Sequence, residues 1–125
     1  MAIKALLIDD NEQDRWIMKR FLAKAGIMEV ITAEEGEEGI RKARTERPDI
    51  IILDTVLPKM DGFEICKKIR ADVKNRQPKI IMLTGSVDAI DVIKARLAGA
   101  DDYCVKTSDG APLLEALKNI FAEEK

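Results

Sequence analysis

Five side chains capable of metal or phosphate chemistry stand directly behind short apolar runs. They are Asp9, Asp10, Asp54, Thr84 and Lys106. If these runs are parallel strands of one sheet, their carboxyl ends share an edge and the five side chains converge there. Two carboxylates about 6 Å apart repel by roughly 3 kcal/mol at an effective dielectric constant of about 20, so three together require a cation. A ligand set made only of oxygen atoms suits Mg²⁺ or Mn²⁺, and not zinc or copper.

A divalent cation, an ammonium group and a hydroxyl around one carboxylate are the groups that stabilise a phosphoryl group during its transfer. Asp54 is the expected nucleophile and would form an aspartyl phosphate. Four of these residues, taken alone, also fit an ordinary role in a helix cap, a turn or a solvated loop: Asp10, Asp54, Thr84 and Lys106. Their joint occurrence at the ends of four strands favours phosphoryl transfer.

The composition limits the function further. The chain has 125 residues, of which 46% are apolar and 35% charged, with a formal net charge of −2. This length and balance predict one folded domain and exclude disorder. The near-neutral charge and the aromatic content of 4% argue against direct nucleic-acid binding. Because the sequence has no histidine, imidazole bases, serine–histidine triads and histidine metal sites are excluded.

Membrane insertion and export are not predicted. The longest apolar runs, such as residues 50–53, are far shorter than the roughly 20 residues that span a bilayer. The start of the chain lacks the long apolar block of a signal peptide, so we expect a cytoplasmic protein. Cys66 and Cys104 each stand among core-type residues, which predicts reduced, buried side chains.

Strand and helix patterns alternate along the chain. Apolar runs predict buried parallel strands at residues 3–8, 28–32, 49–53, 79–83 and 101–105. Apolar residues at helical spacing follow each strand: Ile17, Phe21, Leu22 and Ala25; Ile40 and Ala43; Phe63, Cys66, Ile69 and Val73; Ile90, Ile93 and Leu97; Leu113, Leu117, Ile120 and Phe121. Gly26 and Gly99 are predicted to end helices and Asp109 to cap the last one. The alternation predicts an α/β fold with a doubly wound five-stranded parallel sheet.

Four stretches of the sequence contain the residues capable of metal or phosphate chemistry. They are residues 7–11 (LIDDN), 48–54 (PDIIILD) continuing to 57–62 (LPKMDG), 81–84 (IMLT) and 98–106 (AGADDYCVK). In this order and spacing they resemble the receiver domain of two-component response regulators, in particular the single-domain chemotaxis type. The resemblance covers the whole chain, 1–125, as one receiver (response regulatory) domain. It implies a flavodoxin-like (βα)5 fold with strand order 2-1-3-4-5.

The resemblance implies a phosphorylation-activated signalling switch and not an ordinary enzyme. Asp54 resembles the phosphoacceptor, which takes a phosphoryl group from the phosphohistidine of a sensor histidine kinase or a phosphotransfer protein. Such a domain catalyses its own phosphoryl transfer and its autodephosphorylation. Asp9 and Asp10 resemble the acid pair that holds Mg²⁺, with Asp54 and the backbone carbonyl of Val56 completing the metal site.

The resemblance also implies how the signal leaves the domain. Thr84 and Lys106 match the residues that bind phosphoryl oxygens, and Tyr103 matches the aromatic residue that turns inward when Thr84 moves toward the phosphate. A downstream effector protein would read the face formed by helix 4, strand 5 and helix 5. Thr107 departs from the family, which has a proline after the lysine, often with a cis bond. A cis bond before threonine would cost about 2.5 to 4 kcal/mol, which predicts a loop that is either trans and re-aimed or strained.

Three other functions share parts of this pattern. A phosphatase of the haloacid-dehalogenase type also uses an aspartate nucleophile and Mg²⁺, but it requires a second aspartate where this chain has Val56. A flavin-binding electron carrier would share the fold, yet the acidic residues 9–10 after the first strand would repel a phosphate group. A degenerate receiver, acting as a phosphorylation-independent protein-binding module, stays open because of Thr107.

Overall fold

A computed structural model of the chain describes residues 3–72, 77–85 and 88–122. Strands and helices alternate as β1 (Lys4–Ile8), α1 (Glu12–Lys24), β2 (Glu29–Ala33), α2 (Gly36–Glu46), β3 (Ile50–Asp54), α3 (Gly62–Asp72), β4 (Lys79–Thr84), α4 (Ala89–Ala98), β5 (Asp102–Val105) and α5 (Ala111–Ala122). The strands are parallel, in the order β2-β1-β3-β4-β5. The predicted fold and strand order are confirmed, and each predicted strand boundary is correct to within one residue. None of the described helices is long and apolar enough to cross a membrane.

The central strands are apolar without interruption because helices cover both faces of the sheet. β3 is buried along its whole length, and β1 and β4 are buried in all but their first residue. Alternate residues of each strand contribute to two separate cores. Leu7, Ile52 and Ile81 pack with α1 and α5, whereas Leu53 and Met82 pack with α2, α3 and α4.

Helix ends follow the predicted turn chemistry with one change, at Asp109. Gly99 ends α4 at φ 100°, and Gly26 follows the C-cap of α1 at φ 88°, both in the left-handed region that favours glycine. The N-cap of α1 is Asn11, whose side chain accepts from the Asp14 N–H, so Asp10 is left available for another role. Asp109 accepts from the first N–H of α5, at Ala111, but stands one residue earlier than an N-cap.

Helix α4 presents its large apolar residues to solvent. Ile90, Ile93 and Leu97 are 70%, 59% and 76% exposed. The helix instead packs through Ala95 and Ala98, whose small side chains allow close approach to the sheet. Helical spacing therefore predicted the element, and the structure shows that its alanine face is the covered one. Val73, predicted to continue the helical spacing of α3, lies outside the described residues.

Both cysteines are buried free thiols, in agreement with the prediction of core residues. Burial raises the pKa of Cys66 to about 11 and that of Cys104 to about 12. The Cys66 thiol donates to the carbonyl oxygen of Ala98 over 3.3 Å, which joins α3 to α4. Both side chains are therefore protonated at neutral pH and act as small core residues.

Gly62, the first residue of α3, lies against the backbone at the end of β3. Its N–H donates to the Thr55 carbonyl oxygen, and a Cβ here would overlap the Asp54 carbonyl oxygen and lie 2.8 Å from the Thr55 Cα. Because both are backbone atoms, no side-chain rotation relieves the overlap. We expect Gly62→Ala to lower the unfolding free energy by about 1 to 3 kcal/mol, measured by urea denaturation. Gly85→Ala is the control, since a Cβ there meets nothing within 4 Å, and equal losses would contradict the steric explanation.

Candidate functional site

The carboxyl ends of the strands bring the predicted polar residues to one edge of the sheet. Asp54 ends β3 and Thr84 ends β4, while Asp9 and Lys106 each follow directly after a strand. The register pairs Ile8 with Leu53, so Asp9 and Asp54 emerge side by side. The amide of Lys106 donates to the Thr84 carbonyl oxygen over 2.7 Å, which continues the pairing of β4 with β5 into the site.

The Lys106 ammonium lies at the centre of a group of carboxylates. Its Nζ is 3.1 Å from Asp9 Oδ2, 3.1 Å from Asp54 Oδ2 and 3.3 Å from Asp14 Oδ2. Sequence reasoning selected the first two acids but missed Asp14. An aspartate in the first turn of a helix is common because it complements the helix dipole, so Asp14 gave no signal that distinguished it.

Backbone and side-chain donors fix the two buried carboxylates. Asp9 Oδ1 accepts from the Asn11 N–H, and Asp54 Oδ1 accepts from the Val56 N–H over 3.1 Å. Arg15 donates to the carbonyl oxygen of Asp9 over 2.8 Å and so ties this loop to α1. One oxygen of each carboxylate is thus bound to backbone, and the other faces the Lys106 ammonium.

Burial and mutual repulsion shape the charges at the site. Burial raises the pKa of the Asp9 carboxyl, assisted by the Asp54 charge and opposed by the Asn11 hydrogen bond and the Lys106 charge. Burial also disfavours the charge on Lys106, but the carboxylates of Asp54 and Asp9 outweigh this and raise the pKa of its ammonium. Lys106 therefore remains charged, and one ammonium leaves the acidic group with excess negative charge.

Three acids in this pocket can bind one ion together. Asp9, Asp10 and Asp54 each offer a carboxylate oxygen, and these atoms lie within 4.8 Å of one another. Asp9 and Asp54 are buried, whereas Asp10 is exposed at the rim. The donors are all oxygen, as Mg²⁺ and Mn²⁺ prefer, and the excess negative charge favours a cation. The three carboxylates predicted to bind a metal thus meet in one place and fit such an ion. The predicted contribution of the Val56 backbone carbonyl stays a prediction.

Tyr103 lies half-buried on β5 with its hydroxyl turned inward. The ring centroid is 6.5 Å from that of Phe63, and the two rings are tilted by 34°. The hydroxyl is buried and has no hydrogen-bond partner in the described part of the chain. Such a group loses its hydration without replacement, which destabilises the inward position.

We expect Tyr103→Phe to raise the unfolding free energy by about 1 kcal/mol, because it removes an unpaired buried hydroxyl and keeps the ring packing. Urea denaturation followed by circular dichroism measures the change. Phe63→Leu is the companion variant, since it removes the ring contact and should destabilise. A loss of stability in Tyr103→Phe would show that the hydroxyl does have a partner in solution.

The loop after Lys106 is trans, which decides between the two expectations for Thr107. None of the described residues follows a cis peptide bond. The Thr107 hydroxyl donates to Asp109 Oδ1 over 2.9 Å and accepts from the Gly110 N–H over 3.1 Å. Gly110 then precedes α5 with φ 69°, where a side chain would also meet the Phe21 ring. The two hydrogen bonds of the Thr107 hydroxyl thus organise the turn at the position where the resemblance implied a proline.

The sequence profile described as the response regulator receiver domain matches residues 5–118. The chain belongs to this family. It is 44% identical over 108 residues to the transcriptional regulatory protein AfsQ1 of Streptomyces coelicolor, a match that covers 86% of this chain and 46% of AfsQ1. It is also 44% identical over 106 residues to the alkaline phosphatase synthesis transcriptional regulatory protein PhoP of Bacillus subtilis, covering 85% and 43%. This receiver domain therefore spans about half the length of these curated relatives.

Solved structures show the same fold over nearly the whole chain. The chemotaxis protein CheY4 of Vibrio cholerae has 33% identity and a TM-score of 0.86, with 95% of this chain and 98% of CheY4 covered. A putative response regulator from Chloroflexus aurantiacus has 33% identity and a TM-score of 0.87, covering 98% and 99%. This receiver domain therefore shares its fold with these proteins and belongs to a family of signalling switches that bind Mg²⁺ at an acidic pocket. The corresponding acids in this chain are Asp9, Asp10 and Asp54.

Proposed function

We propose that residues 1–125 form one receiver domain in which phosphorylation of Asp54 switches a two-component signalling pathway. The donor is the phosphohistidine of a sensor histidine kinase or of a phosphotransfer protein. The observation that carries the proposal is the Lys106 ammonium, which bridges Asp54 and Asp9 at 3.1 Å in a pocket with three metal-binding acids. An ammonium and a carboxylate nucleophile in contact are suited to an incoming phosphoryl group.

In the proposed reaction an oxygen of Asp54 attacks phosphorus, the new O–P bond forms and the N–P bond to the donor histidine breaks. Lys106 and the Thr84 hydroxyl bind the phosphoryl oxygens as charge develops on them. A Mg²⁺ or Mn²⁺ ion held by Asp9, Asp10, Asp54 and the Val56 backbone carbonyl would supply the remaining positive charge. Water attack on the phosphorus of the acyl phosphate, also proposed to be catalysed by this site, breaks the O–P bond to Asp54, releases inorganic phosphate and regenerates the free carboxylate.

The proposed output surface is the face formed by α4, β5 and α5. Ile90, Ile93 and Leu97 form an exposed apolar stripe on α4, which supports a protein effector as the partner because such surfaces mark interaction sites. Tyr103, on β5 beside α4, would couple this face to Thr84 at the phosphorylation site. The Tyr103 hydroxyl is already turned inward in this structure, and the penalty it carries there makes an outward position accessible while Asp54 is unmodified.

The transcriptional role in the names of AfsQ1 and PhoP belongs to those proteins. For this chain we propose effects through protein partners in the cytoplasm, with no direct contact to nucleic acid and no membrane insertion. The formal net charge of −2 supports this choice, because nucleic-acid binding depends on a concentration of basic residues.

Reaction with acetyl phosphate and Mg²⁺, followed by intact-mass spectrometry, tests the proposal. We expect a mass increase equal to one HPO₃ group. The alternative of a phosphorylation-independent binding module, which Thr107 motivates, predicts an unmodified chain under conditions that modify a control receiver domain.

A further inference from the structure

Asp14 contacts Lys106 without belonging to the metal-binding group. Its Oδ2 lies 3.3 Å from the Lys106 Nζ, and the three acids able to share an ion are Asp9, Asp10 and Asp54. The Asp14 N–H donates to the Asn11 side chain, which fixes the first turn of α1 and with it the position of the Asp14 carboxylate. The Asp14 side chain is 41% exposed, so it sits at the rim of the pocket with its oxygen turned toward the ammonium.

The contacts of Lys106 account for its entire donor capacity. An ammonium group has three N–H donors, and three carboxylates surround this one at 3.1 to 3.3 Å. To bind a phosphoryl oxygen on Asp54, Lys106 must give up at least one of these contacts. Asp14 also adds negative charge beside the position that the phosphoryl group would occupy, and like charges repel.

We infer that Asp14 is a positioning residue that holds the Lys106 ammonium in the unphosphorylated pocket and competes with the phosphoryl group for it. The inference rests on the proposed function of Asp54. It assigns Asp14 a restraining effect on phosphorylation. If Asp14 were needed only for folding, its replacement would weaken the binding of every ligand of the pocket.

Neutralising Asp14 changes the binding of the two ligands in opposite directions. A phosphoryl mimic gains because Lys106 is released and a repulsive charge is removed. Mg²⁺ loses affinity because the pocket has one negative charge fewer. We expect Asp14→Asn to tighten beryllofluoride binding at saturating Mg²⁺ by about two- to fivefold, which corresponds to an ion pair with one exposed partner, and to weaken Mg²⁺ binding alone.

Glu12→Gln provides the matched control. Glu12 is exposed in the same first turn of α1 and carries the same charge, but it forms no ion pair with the described residues. Amide NMR shifts report the dissociation constants of Mg²⁺ alone and of beryllofluoride with Mg²⁺ for wild type and each variant. We expect Glu12→Gln to bind beryllofluoride with the affinity of wild type. Asp14→Glu keeps the carboxylate, so we expect it to bind both ligands with affinities close to those of wild type.

Two results would overturn the role of Asp14. One is that Asp14→Asn and Glu12→Gln change the two dissociation constants equally. The change would then come from the net charge of the first turn of α1 and not from the contact with Lys106. The other is weaker binding of both ligands by Asp14→Asn, which would indicate a structural defect. If wild type binds Mg²⁺ but no beryllofluoride, the proposed function of Asp54 fails first and the inference falls with it, a result distinct from either of the others.

Discussion

Asp54→Ala is expected to abolish covalent phosphorylation of this receiver domain, whatever the donor. The carboxylate of Asp54 is the proposed nucleophile, and alanine has no atom that can form the O–P bond. Lys106 would keep its contacts with Asp9 and Asp14, so the substitution removes the nucleophile and leaves the ammonium in the pocket. The expected result is a complete loss of the adduct.

Intact-mass spectrometry after incubation with acetyl phosphate and Mg²⁺ measures this loss. Asp72→Asn is the matched control, since it alters an aspartate at the far end of α3 that pairs with Arg44 away from the site. We expect Asp72→Asn to gain one HPO₃ group as wild type does. An adduct of equal yield on Asp54→Ala would place the phosphoacceptor at another residue.

The second large effect concerns metal binding and stability. Asp9, Asp10 and Asp54 bring three carboxylates together with one ammonium, so we expect Mg²⁺ to stabilise the fold by relieving their repulsion. A ligand at 100 times its dissociation constant that binds only the folded state adds about 2.7 kcal/mol to the unfolding free energy. Asp10→Asn replaces a charged carboxylate ligand by a weaker, neutral amide oxygen and removes one repulsive charge. This variant should therefore be at least as stable as wild type without metal and respond little to Mg²⁺.

Thermal unfolding with increasing Mg²⁺ gives the measurement. Asp61→Asn is the control, because Asp61 is exposed, lies outside the three-acid group and accepts a hydrogen bond from the Glu64 N–H that asparagine can also accept. We expect Asp61→Asn to show the wild-type rise in Tm. Equal rises in wild type and Asp10→Asn would locate the stabilising ion elsewhere on the protein.

The sequence alone determined the parallel sheet and which polar residues lie at the carboxyl ends of its strands. Uninterrupted runs such as residues 50–53 can be accommodated only in strands covered on both faces, and their alternation with helical patterns leaves few topologies. In a parallel sheet the residues after each strand share an edge. The proximity of Asp9, Asp54, Thr84 and Lys106 could therefore be predicted from their positions in the sequence. The signals for these features are local, and a single chain carries them.

Only the tertiary structure decided which groups touch. Asp14 and Lys106 are 92 residues apart and meet because the Lys106 side chain, which follows β5, extends along the carboxyl edge of the sheet to the first turn of α1. No local pattern encodes this contact. The spacing of Ile90, Ile93 and Leu97 predicted a helix, but whether this stripe or the alanine face was covered depended on how closely α4 approaches the sheet. Periodicity fixes which residues share a face of a helix, whereas burial depends on the neighbours that the folded chain supplies.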